Sequence, residues 1–185
     1  MKLRSWKRTF PSLDGSILGV TSPDEQYVPV YYDGEECYYY LDGNTILIDV
    51  RLCASPKTVG RKNYTLAHEI AHQILYKAFP DACGPARRLM CDYRRTPESR
   101  RKVTDWTEWQ ADALAAALLM PKDAVLDGMF LAGLGEHIGT LPRKYTPNKY
   151  DNFCWLAGLL GVSKSALAFR MEHLGLLDKN LLYKQ

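Results

Sequence analysis

The sequence predicts an α+β fold: a small antiparallel sheet packed on a helical core, followed by a C-terminal pair of helices resembling a helix-turn-helix. Three observations lead there. Two β-prone runs, Tyr38 to Leu41 and Thr45 to Leu52, flank Asp42-Gly43-Asn44, a turn-forming triplet. Two segments, 64–78 and 106–120, carry apolar residues at helical spacing and meet Pro80 and Pro121. The stretch "YDNFCWLAGLLGVSKSALAFRMEHLGLL" reads as helix, tight turn at Gly161-Val162, and a second helix capped by Ser163.

Composition is that of an ordinary globular protein, with 46% apolar and 24% charged residues in 185, and a chain this long buries a core without disulfide staples. A formal charge of +3 is too small to imply nucleic acid by itself. The start, "MKLRSWKRTFPSLDGS", is basic but leads into no apolar stretch long enough for a signal-peptide core. The longest apolar run, "ALAAALLM", is too short to span a bilayer. A soluble, cytoplasmic protein with no membrane partner is expected. The five cysteines, at 37, 53, 83, 91 and 154, form no CxxC pair, so reduced and mostly buried thiols are expected. Cys83 and Cys91 flank an arginine-rich segment and are spaced to pair or bind metal, but no second pair completes a site.

Taken in order, residues 1–36 hold Pro11, Pro23 and Pro29, several glycines and little periodicity, which predicts strand fragments and turns. The two β-prone runs then predict a hairpin. "SPKTVGRKN" is a polar connector. A helix follows, in which Leu66, Ala67, Ile70, Ala71, Ile74, Leu75 and Ala78 keep the 3.6-residue period, with Asn63 or Thr65 as its cap and Pro80 as its end. Residues 80–105 are the least regular, with seven Lys or Arg against four acids. A second helix runs from about Trp106 to Met120, and a third starts near Pro121 or Lys122. "GEHIGTLPRKYTPNK" is a loop. No internal repeat or low-complexity tract is present.

The chemistry concentrates in "YTLAHEIAHQILY". His68 and His72 are one turn apart, so both imidazoles point to one side of the helix and can share an ion. Glu69 is rotated by about 100° from His68, beside such an ion rather than on it, where a base for water activation belongs. The bland alternative is a polar, solvent-facing side. In "TEWQADALAAALLMP", Glu108 and Asp112 are again four apart. Two carboxylates on an otherwise apolar, alanine-rich helix need partners. A third metal ligand, and a carboxylate orienting a ligand histidine, supply them; solvated acids on an exposed face are the other reading. A two-histidine, one-carboxylate set also suits iron in an oxygenase, but a proton acceptor at Glu69 suits activation of water. His137 and His173 are left unassigned.

"YTLAHEIAHQIL" followed by "EWQADALAAALLMP" resembles the ImmA/IrrE metallopeptidases, bacterial zincins of mobile elements and stress responses. The likeness extends from "NTILID" to the C-terminal pair, residues 44–177, where "GVSKSALAFRMEHLGLL" resembles the common family ending. The chain departs from the family in showing no helix before the sheet and in an enlarged, basic 80–105 segment. The resemblance implies a zincin-like core in which His68, His72 and Glu108 bind Zn2+, Glu69 acts as base and Asp112 supports a ligand histidine. A metallopeptidase domain is expected over 1–150, with residues 1–43 an irregular or strand-bearing part and 80–105 a basic insertion, and a helix pair over 151–185 packed on it. The substrate it implies is a protein, a helix-turn-helix repressor encoded nearby.

Read as a DNA-binding motif, the C-terminal pair offers only Lys164, Arg170 and His173 to reach bases, so nucleic acid is not the expected partner. The arginines at 87, 88, 94, 95, 100 and 101 connect the two motif-bearing helices, and a solvated loop or contact with an acidic substrate segment explains them equally. A non-proteolytic, metal-stabilised regulator that binds DNA or a repressor is the alternative function.

Overall fold

Asp33 and Gly34 both take positive φ, 50° and 90°, the conformation of a two-residue hairpin turn matched to strand twist. They join β3 (Glu25–Tyr32) to β4 (Glu35–Asp42) in continuous antiparallel register from Tyr32↔Glu35 to Glu25↔Asp42. The computed structural model describes residues 9–83, 89–92, 106–139 and 146–178 of the chain. They fall into two compact units, residues 1–115 and 116–185, and the division lies inside one helix, Trp106–Leu119.

Unit 1 holds two three-stranded sheets instead of one. The first is ordered β1 (Thr9–Phe10), β3, β4; the second β5 (Ile46–Ile48), β2 (Ile17–Thr21), β6 (Leu89–Asp92). Residues 1–36 were expected to give only fragments, and β2 and β3 show why they were underread. Pro29 sits inside β3, but β1 reaches only Tyr31 and Tyr32, so β3 has an open side at the proline and no ladder bond is lost there. Strand β2 is buried on both faces, and such strands do not alternate. Val20 packs with Val28, Val30 and Leu41. Thr21, on the other face, accepts a hydrogen bond from Gln73 Nε2 at 2.6 Å.

The hairpin expected across Asp42-Gly43-Asn44 does not form. Its two runs go to different sheets, β4 to β3 and β5 to β2. Asp42 Oδ1 accepts from Asn44 N (2.9 Å) and Thr45 Oγ1 (2.8 Å), an Asx turn that redirects the chain instead of folding it back. Gly43 has φ 75°, and a Cβ there would meet the Pro23 carbonyl at 2.8 Å. Strand β5 is also shorter than the run that predicted it. The buried Asp49 accepts from Arg51 N at 2.8 Å and starts a 3-10 turn over Val50–Cys53. The Arg51 guanidinium pairs with Asp49 and donates to the carbonyls of Ser12 (2.8 Å) and Leu13 (3.1 Å), tying this turn to the approach to β2.

Helix α1 spans Val59–Ala78. It starts earlier than the predicted caps Asn63 and Thr65 because Ser55 caps a short 3-10 turn at Pro56–Thr58 that runs into it. The short α2 (Pro80–Cys83) follows. In unit 2, the end of α3 (Trp106–Leu119), α4 (Lys122–Leu131), α5 (Pro147–Leu159) and α6 (Lys164–His173) share one core around Met120, Met129, Phe153, Leu156, Leu167 and Met171. Gly128 makes room for Leu156 where α4 meets α5. Ser163 Oγ accepts from Ala166 N at 3.1 Å, as the predicted cap requires. Helices α5 and α6 meet at a bend of 98°. No single helix among the described residues is long and apolar enough to cross a membrane.

Cys37 and Cys154 are half-buried and Cys53 is exposed, so none of these three free thiols has the full burial expected of it. The side chains of Cys83 and Cys91, and most of the basic 80–105 segment, lie outside the described residues.

Candidate metal centre

Helix α1 turns its histidine side inward. His68 and His72 are 1% exposed and Glu69 is fully enclosed, whereas Leu66, Ile70 and Ile74 of the expected core stripe are 37–41% exposed. Thr65, Ala67, Ala71 and Tyr76 are the other buried positions. Helix α1 packs against β2 and β5, and the polar residues between Ala67 and Ala71 are enclosed. The solvent-facing reading of the motif is therefore wrong.

Helix α3 brings Glu108 to the same point. The two Nε2 atoms of His68 and His72 are 3.0 Å apart. Glu108 Oε2 lies 3.3 Å from His68 Nε2, and its Oε1 lies 3.2 Å from His72 Nε2. Ligands about 2.0–2.2 Å from a tetrahedral ion stand about 3.3–3.6 Å from one another, so the three groups, 3.0–3.3 Å apart, are gathered slightly more tightly than such an ion needs and would open by a few tenths of an ångström to hold it. These three residues could together hold a metal ion. Two imidazole nitrogens and a carboxylate facing one another are a donor set suited to a divalent metal. Burial favours the neutral Glu108, but the approach of His68 and His72 outweighs it and holds this carboxyl well below its usual range.

Asp112, one turn further along α3, approaches the back of the first histidine: its Oδ1 is 3.0 Å from His68 Nδ1 and accepts from Tyr64 OH at 3.3 Å. The carboxylate is close enough to act on Nδ1 electrostatically, but the pair does not meet hydrogen-bond geometry. Tyr64 was not singled out from the sequence; four residues before His68, its i/i+4 spacing was the available signal. Glu108 and Asp112 retain 19% and 33% side-chain exposure, so the carboxylates lie at the rim of the cluster and not deep in an apolar core. Trp106 and Trp109 stack on each other (4.7 Å between centroids, 13° between planes) and stay exposed.

Glu69 is the outlier. Neither carboxylate oxygen has a hydrogen bond, although both are buried. Burial pushes this carboxyl up to about 8; His68 opposes the shift and Glu108 adds to it. His72 Nδ1 is likewise buried without a hydrogen-bond partner. Unsatisfied buried groups around a three-ligand cluster are what a site built for an additional charged or polar occupant shows. Of the unassigned histidines, His137 Nε2 is 3.1 Å from Asp178 Oδ1 on the surface of unit 2, and His173 is exposed.

The IrrE N-terminal-like domain model matches residues 38–172. The chain belongs to the ImmA/IrrE family of metallopeptidases. The match spans both helices of the cluster and the C-terminal pair, and leaves β1, β2 and β3 upstream of it. No curated protein and no solved structure matches the chain. Membership carries a metallopeptidase type of function and a protein as the substrate class.

Proposed function

We propose that the chain is a zinc-dependent endopeptidase that hydrolyses a peptide bond in a cytoplasmic protein, with His68, His72 and Glu108 as metal ligands. The triangle of two Nε2 atoms and one carboxylate, 3.0–3.3 Å on each side, carries this reading. A zinc ion there would supply Lewis acidity, lowering the pKa of water toward about 7 and polarising a carbonyl. Asp112, beside His68 Nδ1, favours the tautomer that presents Nε2. Glu69, enclosed and free of competing hydrogen bonds, is the general base: it takes the proton of the attacking water and passes it to the departing amine.

The substrate proposed from the family resemblance is a helix-turn-helix repressor encoded nearby, in a mobile element or stress regulon. A regulator that binds DNA without cutting has less support. The 98° bend of α5 and α6 suits such a motif, but Arg170 Nε donates to the Met120 carbonyl at 3.0 Å and Lys164 rests on Tyr150. Two of its three candidate contact residues are thus engaged within the unit.

The test is co-expression with the adjacent repressor and intact-mass analysis of fragments. Glu69→Gln should fold, retain about one zinc per chain and cut nothing, while the parent cuts. Equal cleavage by both would remove Glu69 from the chemistry. Absence of cleavage by either, with tight binding of the repressor, would favour the regulator.

A further inference from the structure

Gly19 lies in the middle of β2, paired with Ile48, and is buried. Its φ is not positive, so its backbone conformation does not call for glycine. A neighbouring side chain does. A Cβ built on Gly19 would stand 2.5 Å from Glu69 Oε1, 2.8 Å from Cγ and 2.9 Å from Cδ. All three distances are below what carbon atoms tolerate, and two of them are to the middle of the side chain, so rotating the carboxylate alone does not relieve them. Glu69 is fully buried. The glycine is also fastened to the helix that carries Glu69. Gln73, one turn on, donates to Thr21 Oγ1 (2.6 Å) and to the Ser22 carbonyl (2.7 Å), which holds β2 against α1 at this level.

We propose that Gly19 is a positioning residue: the side chain it lacks is the space that keeps the Glu69 carboxylate beside the His68–His72–Glu108 cluster. This deepens the general-base reading and rests on it for its functional meaning, but the packing it asserts stands apart from whether the protein cleaves anything. A rival account exists. The β2–β6 register shifts between Ile17 and Val20, and glycine is often found at such irregularities for the sake of the backbone. The two accounts differ in whether the cost of a methyl group at position 19 depends on what occupies position 69.

A double-mutant cycle separates them. Gly19→Ala should lower the melting temperature by about 3 to 10 °C in the parent and by a similar amount in Glu69→Gln, whose side chain has the same size. In Glu69→Ala, where Cγ and Cδ are gone, the same change should shift it by no more than about 1 °C. If Gly19→Ala folds, its zinc content should match the parent's, because no ligand is touched. The Glu69 carboxyl carbon resonance, assigned by its loss in Glu69→Gln, should move while the His68 and His72 ring signals stay, and cleavage of the adjacent repressor should fall at least tenfold. An equal melting shift in the parent and in Glu69→Ala would assign the glycine to the bulge and overturn the proposal, as would an unmoved Glu69 resonance. If the parent cuts nothing, the peptidase reading fails, and the cycle and the resonance still decide the role of Gly19.

Discussion

A carboxyl group enclosed without a hydrogen bond favours its protonated form, and for Glu69 this has a sign that can be measured. Its pKa is raised to about 8 from about 4.3 in an unfolded chain. Between these values the folded protein holds a proton that the unfolded chain has released, so stability must fall as pH rises through the window. From about pH 4.5 to 8 the denaturant midpoint of the metal-free parent should therefore decline relative to that of Glu69→Gln. Equal slopes in the two proteins would place the titration on another group. Asp112 makes a separate prediction: Asp112→Ala should weaken zinc binding about 10- to 100-fold with the fold retained, and unchanged affinity would return Asp112 to the solvated rim. The spacing of His68, Glu69, His72, Glu108 and Asp112 could be read from the sequence because i/i+4 pairs share a helix face wherever the helix lies. The same spacing places Tyr64 on the His68 side of the helix, but not the partners that give Tyr64 and Gly19 their meaning. Their significance comes from a partner 48 or 50 positions away, and no local pattern encodes that distance.

Helices were predicted better than strands, for a physical reason. Their boundaries depend on local chemistry: Pro121 and Ser163 stop and cap as expected because a missing N–H or a side-chain acceptor acts within one turn. Replacing Ser163 by Ala should cost about 1 kcal/mol and lower the melting temperature by about 2–4 °C, whereas Ser163→Asp should lose little; equal losses would mean that the Ala166 N–H needs no acceptor. Strand pairing depends on partners elsewhere in the chain. The runs around Asp42-Gly43-Asn44 were correctly placed as extended chain but wrongly paired, because an Asx turn and a tight hairpin turn share the same residues and differ in the direction the chain leaves. Helix α1 shows a further limit. Its apolar periodicity is real, but the buried side is the one with alanines and histidines. Amphipathic spacing predicts that a helix has two sides; in a helix carrying a polar cluster it does not say which one faces inward.

At the scale of the molecule, every proposed metal ligand belongs to residues 1–115, while the largest apolar core belongs to residues 116–185. Binding that touches only the folded first unit should stabilise it by mass action, about 2.7 kcal/mol at a hundredfold excess over the dissociation constant. Hydrogen exchange should then show α1 and the first turn of α3 protected by zinc, with α5 and α6 unchanged and with no protection in His72→Ala. Protection spread evenly over both units would show them to be one cooperative body. The α+β class was legible because helical and extended segments are separately patterned, but the second sheet was not, since β2 is buried on both faces and carries no alternation. The stacked Trp106–Trp109 pair brackets Glu108 in sequence and shares the first turn of α3 with it. Two indoles held nearly parallel couple their electronic transitions, so their circular dichroism depends on how well that turn is fixed. Loading the cluster with metal should therefore alter the near-ultraviolet spectrum even in Glu69→Gln, so occupancy can be followed by light absorption alone, without a substrate.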